Sequence, residues 1–140
     1  MTTIAADFEA GIMVSDSRCS AGATWYPMTK VHRVGNELIG IAGAVKDGHR
    51  WLKWYTAGKK GPHPKIEDFV ALVLRADGLY DVSSDGLELR VERGKHAIGS
   101  GGSAALAVML AGHDAKMAVD IACQVDTGSG GDVIVYKVTA

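Results

Sequence analysis

The order in which apolar residues change their spacing along this chain constrains its fold more than any single motif. Thr3 to Phe8, Ile12 to Asp16, Val31 to Val34 and Leu38 to Ala42 are short apolar stretches broken by turn residues, and they read as strands. Gly35-Asn36 separates the third from the fourth, a pair that tolerates positive φ and so predicts a hairpin. Ser17 to Thr29, with Trp25, Tyr26 and Pro27, has no regular period and reads as a long loop. From Val45 to Ala57 the spacing of Trp51, Trp54 and Tyr55 puts three rings on one helical face. Gly58 to Lys65 breaks that helix, and Ile66, Phe69, Leu72 and Val73 predict a second, with Glu67 and Asp68 at its positive end.

Leu79 to Val82 and Leu87 to Val91 flank the turn-forming Ser83-Ser84-Asp85-Gly86 and predict another hairpin. Beyond Ala97-Ile98 come Gly99 to Gly102, an Ala-rich run to Ala111, a Gly112-His113 break, and a stripe at Ala118, Ile121, Ala122 and Val125, which together predict two helices. Asp132 to Val138 closes as a strand. Strands, two helices, strands, two helices, strand is an order that suits antiparallel sheets packed between helical layers, an α+β sandwich, better than a doubly wound parallel sheet.

With 140 residues and 47% hydrophobic content, residues 1–140 are expected to form one domain with its own core. A formal charge of -1, with acids and bases interleaved, gives no field that calls for nucleic acid or an anionic membrane as partner. The longest apolar run, Ala104 to Ala111, falls far short of the roughly 20 residues that cross a bilayer. Asp7 and Glu9 stand where a secretory signal would carry a basic segment, so a cytoplasmic location is expected, with Cys19 and Cys123 as free thiols.

The chemistry is concentrated at the front. After Met-Thr-Thr, removal of Met1 leaves Thr2 with a free α-amine beside its own hydroxyl. Such an amine titrates near ~8 and can take the hydroxyl proton as the threonine attacks a carbonyl. By itself the pair also reads as the plain start of a strand. Asp16 and Lys30 bracket it: a lysine beside the threonine would lower the pKa of amine and hydroxyl, and an aspartate would orient that lysine, although two such charges also make an ordinary salt bridge.

Taken together, these residues resemble the proteasome β subunits and the bacterial HslV peptidase, members of the N-terminal nucleophile hydrolases. Thr2-Thr3-Ile4 is similar to the mature family N-terminus, Ser15-Asp16-Ser17-Arg18 to its Asp-Ser-Arg segment, and Lys30-Val31-His32-Arg33-Val34 to the strand of its catalytic lysine. Ile41-Ala42-Gly43 resembles the oxyanion segment, Ile98-Gly99-Ser100-Gly101-Gly102 the Gly-Ser-Gly segment, and Asp126-Thr127-Gly128-Ser129-Gly130-Gly131 the aspartate-x-x-serine-glycine-glycine motif.

The resemblance implies a four-layer αββα sandwich and a self-compartmentalising threonine peptidase without cofactor. Thr2, Asp16, Lys30, Gly43, Ser100, Asp126 and Ser129 would form its catalytic set, and Val45 would line the pocket for the side chain before the scissile bond. Implied partners are unfolded polypeptide or peptide substrates, copies of the chain in a homo-oligomeric ring, and an unfolding ATPase ring. A retained Met1 would block the amine and leave the alternative, an inactive ring subunit serving assembly or binding. The chain is shorter than the usual family domain, as if trimmed around the first helical pair.

Other motifs lead elsewhere and are set aside. Gly99-x-Gly101-x-x-Ala104 with Asp120 fits a permissive dinucleotide fingerprint, but Asp120 falls in a helical stripe and too few strands follow. His32, His49, His63, His96 and His113 lack metal-ligand spacing. Lys46, Arg50 and Lys53 read as a solvated helix face, not a nucleic-acid patch.

Overall fold

The computed structural model describes residues 1–138. Its elements are β1 (Ile4–Asp7), β2 (Ile12–Ser15), β3 (Arg18–Ala21), β4 (Thr24–Pro27), β5 (Val31–Val34), β6 (Glu37–Gly43), α1 (Val45–Thr56), β7 (Phe69–Arg75), β8 (Gly78–Ser83), β9 (Glu88–Arg90), β10 (Lys95–Ile98), α2 (Gly102–Leu110), α3 (Ala115–Val125) and β11 (Ile134–Lys137). One antiparallel sheet has the order β10-β1-β2-β11, the other β5-β6-β7-β8-β9, and β3 and β4 form a separate ribbon.

Strand alternation builds the layers. Ile4, Ala6 and Met13 from the first sheet meet Leu38, Leu72, Leu74 and Leu79 from the second in a core between the sheets. The opposite parity of the first sheet, Ala5, Val14 and Ala97, packs under α2 and α3 through Ala105, Met109, Ala118 and Ala122. The opposite parity of the second, Ile39, Ala71, Val73 and Val82, packs under α1 through Trp51 and Tyr55. The result is the expected αββα order, and each fully buried Leu or Ile contributes roughly 1.5–3 kcal/mol to it.

Trp51 stacks on Tyr55 with centroids 4.7 Å apart, so the aromatic face of α1 is turned into the protein. Trp54 sits at its edge and donates to the Gly61 carbonyl at 3.2 Å. Gly35 occupies the β5–β6 turn at φ 59°, as the hairpin reading required.

Two expectations are corrected. The second helix predicted from Ile66 onward is instead the end of a loop followed by β7, a central strand paired with β6 and β8. Phe69 to Leu74 is apolar at every position because Phe69, Ala71 and Val73 face α1 while Leu72 and Leu74 face the other sheet. A continuous apolar run satisfies a helical template as well as a doubly covered strand. Glu67 and Asp68 do not begin a helix; their N–H groups donate to the Asp47 carboxylate at 3.2 and 3.0 Å. The stretch read as one long loop, Ser17 to Thr29, contains the β3–β4 hairpin, whose half-open and exposed faces carry no apolar alternation. Among the described residues no helix is long and apolar enough to cross a membrane.

Candidate active site

The first residues are held because β1 is a central strand, paired with β2 on one side and β10 on the other. Ile4 lies opposite both Ser15 and Ile98. The residues following these two strands, Asp16 and the Gly99-Ser100 turn, therefore converge on Thr2 and Thr3. Asp16 N–H donates to the Thr3 carbonyl at 3.2 Å, and Thr3 N–H donates to Asp16 Oδ1 at 3.0 Å. Gly130 N–H adds a bond to Asp16 Oδ2 at 3.0 Å.

Lys30 enters from the second sheet, immediately before β5. Its ammonium donates to both oxygens of Asp16 at 3.1 Å, to the Arg18 carbonyl at 2.7 Å and to the Met1 carbonyl at 2.9 Å. Lys30 is 5% exposed and Asp16 0%, so the pair is desolvated and spans the two sheets. A buried charge held in this way needs each of its donors answered, and the four acceptors around Lys30 provide that.

On the other side of Thr2, its N–H donates to Ser100 Oγ at 3.1 Å, and Ser100 Oγ donates to Asp126 Oδ2 at 2.6 Å. Ser129 Oγ donates to the same carboxylate oxygen at 2.6 Å and is 2.7 Å from Thr3 Oγ1. Burial works against the Asp126 carboxylate, but the hydrogen bonds from Ser100 and Ser129 outweigh it and hold its pKa below the ordinary range. Asp126 ends α3, so the helix fixes its distance from the sheet.

Gly43 closes β6 at φ 112°, and a Cβ there would stand 2.4 Å from the Asp68 carbonyl oxygen, so only glycine fits. Thr2, Lys30, His32, Gly43, Val45 and Leu52 line one cavity of about 180 Å³. The structure thus gathers the sequence-predicted residues into two groups around Thr2: Asp16 and Lys30 on one side, Ser100, Asp126 and Ser129 on the other. Gly43 and Val45 border the cavity between the sheet and α1.

Three contributors were missed. Thr3, at the entry to β1, joins the serine network through its hydroxyl. Arg18 donates to the carbonyls of Thr127 and Ser129 at 2.7 and 2.9 Å and so holds the 126–131 turn against β3. Asp47 anchors residues 67–68, whose Asp68 carbonyl accepts from Ala44 N–H at 2.8 Å beside Gly43. Nothing in a single sequence separates Asp47 from a helix-dipole acid of the first turn of α1. Among the described residues no group of His, Cys, Asp or Glu is placed to hold a metal ion.

No protein-family model and no curated sequence matches the chain. Two antiparallel sheets between helical layers, with β1 an inner strand of its sheet, give the chain an HslV- and proteasome-like fold. It is similar to eukaryotic HslV from Trypanosoma brucei, with a TM-score of 0.74 and 22% identity over 97% of this chain and 99% of that one. It is also similar to the Thiobacillus denitrificans protein BPH in complex with epoxomicin, with a TM-score of 0.71 and 19% identity over 99% and 100% of the two chains. Another structure of BPH gives 0.69 and 17% over 99% of each.

Proposed function

We propose that this chain is a threonine peptidase whose nucleophile is Thr2 after Met1 is removed. The observation that carries the reading is the position of Thr2 N, bonded to Ser100 Oγ at 3.1 Å while Lys30, paired with Asp16, reaches the adjoining Met1 carbonyl at 2.9 Å. With Met1 gone, that nitrogen becomes an amine on the same residue as the attacking hydroxyl.

The amine takes the proton from Thr2 Oγ1, and the oxygen attacks the substrate carbonyl to form a tetrahedral intermediate. The ammonium of Lys30 favours the alkoxide by its charge, and Asp16 fixes its direction. Gly43 N–H supplies the oxyanion donor, a contribution of about 2.7–4 kcal/mol in the best-measured comparable case. The protonated amine then gives its proton to the leaving amine, and an ester joins Thr2 to the acyl half of the substrate. Water, deprotonated by the amine, hydrolyses that ester. Ser100, Asp126 and Ser129 orient the amine and relay its protons. Val45 and the cavity behind it receive the side chain before the scissile bond.

The active form in this reading is a homo-oligomeric ring enclosing unfolded polypeptide, fed by an unfolding ATPase ring, in the cytoplasm. Trp25 and Tyr26 on the β3–β4 ribbon and Val125 at the end of α3 are exposed, apolar surface that neighbouring copies in such a ring would cover. The test is intact mass, to measure the fraction lacking Met1, with hydrolysis of unstructured peptides by wild type, Thr2→Ala and Lys30→Ala. Hydrolysis that follows the processed fraction, disappears in both variants and is suppressed by epoxomicin is the expected result. Wild type that keeps Met1 and matches the variants overturns it in favour of an inactive ring subunit.

A further inference from the structure

We propose that His32 determines which substrate side chain the cavity beside Thr2 accepts, favouring an apolar stem with an uncharged hydrogen-bonding tip, of glutamine or tyrosine type, and rejecting lysine and arginine. This rests on the peptidase reading above and adds the substrate class to it.

The cavity has apolar walls and a basic polar lining. Met28, Ile41, Val45 and Leu52 supply the walls. A volume of about 180 Å³ suits one large side chain, since about 150 Å³ is enough for a benzene-sized group. The register His32↔Ile39 places the imidazole on the face of the second sheet that α1 covers, behind Thr2. There it is half-buried, and burial alone lowers its pKa, with no hydrogen bond or neighbouring charge from the described residues contributing. It is therefore neutral near pH 7 and offers one donor and one acceptor to whatever enters.

The charges around the cavity decide the rest. Among the described residues its ionisable lining is the N-terminal amine, Arg18, Cys19, Lys30, His32 and His49, with no carboxylate. Asp16, behind the wall, is engaged by Lys30. Arg18 spends its terminal nitrogen on two carbonyls and makes no ion pair among the described residues. A lysine or arginine tip would be desolvated next to like charge with no carboxylate in the lining to balance it. A carboxamide or phenol reaching His32 makes a hydrogen bond that an aliphatic tip cannot, and a site with an unpaired polar group discriminates against side chains that leave it unpaired.

Processed enzyme is given peptides differing only in the residue before the scissile bond: Gln, Leu, Tyr, Phe and Lys. At pH 7.5 kcat/KM is expected to be roughly 10-fold higher for Gln than Leu and for Tyr than Phe, and lowest for Lys. His32→Leu reverses Gln against Leu, His32→Gln preserves the order, and His32→Asp admits Lys. Lys cleaved as fast as Gln by wild type, or an order unchanged in His32→Leu, overturns the inference while leaving the peptidase reading intact. If processed wild type cleaves none of them, the peptidase reading fails. The inference is then read from binding of the Gln and Lys peptides to wild type, followed by the His32 imidazole resonances. Equal binding, or none, overturns it.

Discussion

The Lys30 ammonium lies 3.1 Å from both carboxylate oxygens of Asp16, at the one point where the end of β2 in one sheet meets the start of β5 in the other. Both side chains are buried, so breaking the pair strands a charge in the interior. Lys30→Met or Asp16→Asn alone is expected to lower the unfolding free energy by about 3–5 kcal/mol. The double variant Asp16→Asn/Lys30→Met should recover most of that loss, because it leaves no unpaired charge, yet remain without peptide hydrolysis. Urea unfolding of the three variants beside a peptidase assay checks both halves.

Gly43→Ala tests the strand end beside the cavity. The backbone at φ 112° disfavours any side chain, and the new methyl would meet the Asp68 carbonyl 2.4 Å away. Strain of at least about 1–2 kcal/mol is expected from the dihedral alone. Hydrolysis should fall further than stability does, since moving this peptide shifts the proposed oxyanion donor. Thermal unfolding and kcat for the same preparation separate the two effects.

Legibility in the sequence followed burial. Helix α1, with one covered face, announced itself by period, and β1 and β2, covered on both faces, by short apolar runs ended at turn residues; β7, also covered on both faces, offered Phe69 to Leu74 as a longer unbroken run that fits a helix equally well. The β3–β4 ribbon was silent for the opposite reason: Thr24 to Pro27 has no buried face to pattern. The order of the site segments was readable because each begins or ends a strand or a helix with a short polar motif. Thr3, Arg18 and Asp47 were not readable as contributors, because their partners, Ser129, the 127–129 carbonyls and residues 67–68, are brought to them only by the tertiary fold.

His32 predicts a pH dependence of stability. Burial lowers its folded pKa below the ordinary value of 6.5. As pH falls below about 6.5 the unfolded chain takes up a proton that the folded protein refuses, so stability declines until the folded pKa is passed. The urea midpoint of wild type is expected to drop more steeply between pH 7.5 and 5 than that of His32→Leu. Parallel curves for the two proteins would show that His32 does not carry this dependence.

Thr3 stands at the far end of the hydrogen-bond path that reaches Thr2. Asp126 accepts from both Ser129 and Ser100 at 2.6 Å, which commits the Ser129 proton to the carboxylate. Thr3 Oγ1, 2.7 Å from Ser129 Oγ, is then the donor in their contact. Every hydroxyl in the path therefore points one way, toward Asp126, and the Thr2 nitrogen is oriented at its other end through Ser100. Thr3→Val removes the first donor without changing the side chain's shape. Its loss weakens the Ser129 bond that helps hold Asp126 ionised, so the Asp126 pKa should rise and the acid limb of the kcat profile should move to higher pH. A cost of about 1 kcal/mol, the worth of one such bond, corresponds to roughly a 5-fold fall in kcat. Thr3→Ser keeps the hydroxyl and should restore both the rate and the profile, and a valine variant with an unmoved acid limb would reduce Thr3 to a packing residue of β1's approach.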